Sequence, residues 1–146
     1  MNSHHKEDYR NKYRLIKKIG VGNFTAVYKA ENEKKELRAV KIINLGDIKL
    51  ELEEEFFTDE QVNEKFNEYI KNLKFEIENM KICAENNENS VKYYESFETD
   101  EEFALVMELA DEDLVKFKKN KKLNSKDVYE ILIQLNNTFK IMKEKT

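Results

Sequence analysis

The sequence predicts an α+β fold in which three strands precede a long helix, two more strands follow it, and a helix closes the order. Three observations carry that expectation. Short β-favouring runs occupy 13–19, 25–30 and 37–43, with glycine or polar turns between them. From Val62, apolar residues recur at Phe66, Tyr69, Leu73, Ile77 and Met80, the spacing of one helix face. Two further β-favouring runs, "SVKYYESF" (90–97) and "EFALVMEL" (102–109), flank the turn "ETDE".

Taken in order, residues 1–12 read as a flexible polar tail. They have no apolar core and so are not a secretory signal. His4 and His5 could bind a metal, but a disordered leader is the plainer reading. Strand one places Tyr13, Leu15 and Ile19 apolar, with Lys17 breaking the alternation. The turn at Gly20 and Gly22 leads into "TAVYKA", and "ENEKK" leads into "LRAVKII". Thr58, with Gln61 three residues on, marks a helix start, and Asp59 and Glu60 suit the positive end of the helix dipole. The last helix opens near Ser125, with Val128, Ile131, Leu132, Leu135, Phe139 and Met142 on one face.

The bulk composition narrows the function. With 26 basic and 30 acidic residues the net charge is −4, which argues against a nucleic-acid or anionic-membrane partner. The lysine run "KFKKNKK" (116–122), five lysines around Phe117, therefore reads as solvated surface and not as a nucleic-acid patch. The one cysteine cannot form an internal disulfide, which suits a reducing, cytoplasmic setting. No apolar run approaches the length of a membrane span.

Three features carry possible chemistry. Glycines in a hairpin let backbone N–H groups approach an anion that Cβ atoms would hold away, although such a pair is often only a turn. Lys41 is the one lysine inside "AVKII"; it either needs a partner or lies on the solvent face of an edge strand. Glu76 lies three residues after Leu73 and four before Met80. It is expected to pair with Lys41, unless it sits at the edge of the apolar stripe.

The pieces "IGVGNFTAVYKA", "AVKII", "FEIENMKI", "VKYYESF" and "FALVMELADEDL", in this order, resemble the N-terminal lobe of eukaryotic protein kinases. The resemblance runs from about Tyr13 to Thr146. It implies a five-stranded antiparallel sheet with one long packed helix, spanning 13–110 through the hinge. Residues 46–72 would be an insertion extending the helix, and 111–146 the start of a truncated C-terminal lobe.

The resemblance also implies roles. Gly20, Val21, Gly22 and Asn23 would cover the phosphates of ATP. Val27 and Ala39 would line the adenine pocket, and Met107 would back it. Glu108 and Ala110 would form the hinge, and Asp113 would lie near the ribose. Lys41 would bind the α- and β-phosphates, held by Glu76. These are the parts phosphoryl transfer requires of this half. Thr25 stands where the family's third loop glycine falls. The His-Arg-Asp and Asp-Phe-Gly motifs of the catalytic half are absent from this chain, so no catalytic base and no Mg2+ ligand is assigned. The function implied is the ATP-binding portion of a protein kinase of serine/threonine type acting on an unidentified protein, inactive as this chain alone. The alternative is a kinase-like module that binds nucleotide or a partner without phosphotransfer.

Overall fold

The computed structural model describes residues 4–56 and 58–145. Its architecture is α+β, a six-stranded mixed sheet with four helices. The strands are β1 (His4–His5), β2 (Tyr13–Gly22), β3 (Thr25–Asn32), β4 (Leu37–Asn44), β5 (Tyr93–Glu98) and β6 (Glu102–Met107). The helices are α1 (Leu45–Glu55), α2 (Asp59–Ala84), α3 (Leu114–Asn120) and α4 (Ser125–Lys145). Across the sheet the order is β1-β5-β6-β4-β3-β2.

The five expected strands form and pair antiparallel, but the sheet is not purely antiparallel. β1 adds a sixth strand, parallel to β5. The segment read as a tail thus contributes to the sheet edge. Its two imidazoles supply the apolar faces that the one-letter pattern conceals: His4 stacks on Phe103 and His5 on Phe97, at 5.6 and 5.0 Å. His4 also bonds Ser96 and Glu98 through its two ring nitrogens, both at 2.9 Å. A 3-10 turn (Tyr9–Asn11) follows, and Tyr9 is buried.

Alternation on the strands divides the core into two layers. On one face, Tyr9, Tyr13, Ala30, Val40, Ile42, Phe97, Ala104 and Val106 pack together. On the other, Ile43, Phe103 and Leu105 meet Leu45 and Ile48 of α1 and Leu73 and Ile77 of α2. β2 departs from strict alternation for a structural reason. Its pairing with β3 shifts between Leu15 and Lys17 and again between Lys18 and Gly20. Each irregularity adds a residue to one strand and turns the side chains beyond it, which is why Lys17 breaks the series.

The region read as one lengthened helix is two. Asn44 caps α1 by accepting from the Asp47 N–H at 2.9 Å, and Phe56 ends it. Thr58 then caps α2, its hydroxyl accepting from the Gln61 N–H at 3.2 Å as the sequence implies. Phe57, the second aromatic of "ELEEEFF", lies outside the described residues. α4 touches the rest of the fold mainly at the C-terminal end of α2. Lys145 there bonds the Ile82 and Glu85 carbonyls and the Glu85 carboxylate.

Candidate functional site

Strand register builds the site. Gly20 of β2 faces Val27 of β3, and Val27 faces Lys41 of β4. Two residues back along β4, Ala39 faces Met107 of β6. These rows lie on the sheet face that α2 covers further along. Beyond Met107 the chain leaves the sheet as an extended connection. Its Glu108 is tied down twice: its N–H donates to the Lys92 carbonyl at 2.8 Å, and its carboxylate accepts from the Lys92 N–H at 3.1 Å.

Between the strands and this connection lies an open cleft of about 630 Å³, within the usual range for small-molecule sites. Gly20, Val27, Ala39, Met107, Glu108, Ala110 and Asp113 all line it. Seven positions singled out in the sequence thus meet around one cavity. Ile19, Lys29, Leu37, Val91, Asp111, Glu112 and Lys116 line it as well. Lys29 and Leu37 follow from two-residue periodicity with Val27 and Ala39, a signal present in the sequence. Val91 comes from a distant loop and had no such signal.

Asp113 has a second engagement. It is the N-cap of α3, its carboxylate accepting from the Lys116 N–H at 2.7 Å. The acid near the cleft mouth is thereby oriented by the helix that it starts.

Val21 and Gly22 do not line the cleft; they border a separate pocket on the opposite sheet face. Asn23 borders neither. Gly22 answers to the hairpin itself, since a Cβ there would stand 2.5 Å from Thr25 Oγ1. At Gly20 a Cβ would meet only Val27, at ordinary contact distance. The left-handed residue of the turn is Phe24, at φ 55°, not a glycine. Its carbonyl accepts from the Asn44 N–H at 2.8 Å, and its ring packs against the layer shared with α2.

The expected Lys41–Glu76 pair does not form. Among the described residues the Lys41 side chain has no ion pair or hydrogen bond, and Glu76 is exposed. The reason is angular. Three residues at about 100° each place Glu76 roughly 60° round the helix from Leu73, at the flank of the buried stripe. There it neighbours Tyr69, whose phenol is pushed up by burial and then by the Glu76 charge. Lys41 does not line the cleft; it stands two residues beyond Ala39, about 6.6 Å along the strand.

No protein-family model matches the chain, and no curated protein matches it. Among the described residues no cluster of three or more His, Cys, Asp or Glu side chains could hold a metal ion, and no helix is long and apolar enough to cross a membrane.

Proposed function

We propose that this chain is the ATP-binding part of a protein kinase of serine/threonine type, with the adenine between Val27, Ala39 and Met107 and the hinge running from Glu108 to Ala110. The observation that carries this reading is the convergence of seven resemblance-assigned residues on one cleft of about 630 Å³. A flat apolar ring suits the Val27–Ala39–Met107 end. The backbone groups of 108–110 supply donors and acceptors at its edge. Lys41, half-buried and two residues beyond Ala39 on the same strand face, would supply the point charge for phosphate. Mg2+ would enter with the nucleotide, its protein ligands not being assigned in this chain.

A second reading has its own support. The chain contains neither a His-Arg-Asp nor an Asp-Phe-Gly motif, so binding without transfer is what these residues alone can perform.

Lys41→Met tests the assignment by calorimetry. The substitution removes the charge at similar length. Mg-ATP affinity falls about tenfold, the loss of one charge-assisted contact, while adenosine affinity stays unchanged. Equal loss for both ligands, or no binding of either to the parent chain, overturns the reading.

A further inference from the structure

Two faces run side by side along α4. Ile131 and Gln134 border a groove shared with the 108–114 connection, and the Thr138 hydroxyl accepts from the Asn87 amide at 3.3 Å. That face belongs to the chain's own fold. One residue further on in each case, about 100° round the helix, stand Leu132, Leu135 and Phe139. With Val128 and Met142 they form an exposed apolar stripe, and no residue of Ser125–Lys145 is buried.

The spacing of the stripe points to a helical partner. Its steps are 4, 3, 4 and 3 residues. They average about 3.5, the repeat at which two helices keep one shared seam in contact. Packing on a sheet asks only for the 3.6-residue period of a single helix.

The stripe is complementary to itself when a second copy runs antiparallel. About a two-fold axis between residues 133 and 134, Val128 meets Phe139 of the second copy and Leu132 meets its Leu135. Symmetry repeats both pairs, which gives four layers. Small faces large and leucine faces leucine, so the layers are even in thickness. A parallel pair would stack Phe139 on Phe139 and Val128 on Val128, with uneven layers. Charge agrees with the antiparallel choice. The first half of α4 carries one lysine and two acids, and the second half three lysines and one acid. Antiparallel helices set the acidic half against the basic half and oppose the two dipoles. Parallel helices set lysines against lysines. Asp127 and Lys145 also have partners in their own copy, Lys121 and Glu85. Charge therefore orients the pair, and the apolar layers hold it.

We propose that α4 docks on α4 of a second copy as an antiparallel, two-fold helix seam. The test uses the full chain with Cys83→Ser, which removes its one thiol, carrying either Val128→Cys or Phe139→Cys. In the antiparallel seam, like positions stand about 16 Å apart along the axis, beyond disulfide reach, whereas unlike positions share a layer. Equimolar mixing of the two variants in a glutathione buffer gives the mixed disulfide in about tenfold excess over either like disulfide, since docking raises the effective concentration of that pair alone. Leu135→Lys puts a charge into two of the four layers and abolishes the excess. It leaves the melting temperature of the dilute chain unchanged, since Leu135 is 47% exposed. The proposal is overturned by like disulfides equal to or above the mixed one, by an excess that survives Leu135→Lys, or by a parent chain that sediments as a monomer at high micromolar concentration.

Discussion

Glu95 shows how one side chain holds the N-terminal segment to the sheet. The Tyr13 hydroxyl donates to it at 2.6 Å, Lys12 at 3.3 Å, and His5 Nε2 lies 2.8 Å away. Burial pushes this carboxyl up, but the hydrogen bonds from Tyr13 and Lys12 and the Lys12 charge outweigh it, leaving it below its ordinary value. A carboxyl lowered in the folded state stabilises fully above its unfolded value near 4.3. That contribution is lost as pH falls through the lower folded value. Glu95→Gln should therefore cost about 1–2 kcal/mol at pH 7, by loss of charge-assisted bonds. Its stability should also fall less steeply than the parent's below pH 4.5. Chemical denaturation across pH 3–7 reads both effects; parallel pH profiles would remove Glu95 as the cause.

At the scale of elements, α2 depends on its first turn. Between α1 and α2 only Phe56, Phe57 and Thr58 intervene, so the cap decides that two helices form here and not one. Thr58 satisfies the Gln61 N–H, and Asp59 and Glu60 sit where the dipole favours them. Thr58→Ala should cost about 1 kcal/mol. The loss should concentrate in faster amide exchange at 59–64, because Leu73 and Ile77 anchor the later turns in the core. Exchange rising uniformly along α2 would show that the helix unfolds as one unit and the cap is not local.

For the whole molecule, the distribution of apolar surface sets the behaviour. Val128, Leu132, Leu135, Phe139 and Met142 are all exposed along one side of α4. Such a stripe favours self-association. Sedimentation should show mass rising with concentration, and Phe139→Lys should suppress it. A monomer at all concentrations would contradict the expectation. The same scale governs catalysis. On the proposed reading the cleft would position a nucleotide, but no residue of this chain is assigned to hold magnesium or orient an attacking hydroxyl. A radioactive transfer assay on the purified chain with a basic protein substrate should give no Lys41-dependent incorporation. Transfer abolished by Lys41→Met would mean that a catalytic acid lies within these residues.

Much was legible in one dimension because it follows from local rules. Strands β2 to β6, the Thr58 cap and the α4 stripe arise from periodicity and capping, which act over a few residues. The cleft residues Val27, Ala39 and Met107 were legible too, through their resemblance and their place in strands. Other features needed the folded chain. His4 and His5 read as solvated, yet their ring faces cover Phe103 and Phe97 once β5 and β6 stand beside them. Glu76 falls near the inward stripe by spacing, but a rotation of about 60° separates buried from exposed on a helix. Only packing against the sheet decides which side it takes. Val21 and Gly22 share a turn with Gly20 but border the opposite pocket; for Val21 the alternation of side chains along the strand accounts for it. The sequence by itself determined strands β2 to β6 and helices α2 and α4 in outline, since those are short-range preferences. The tertiary structure decided which charges meet and which cavities close, since both depend on residues distant in the chain.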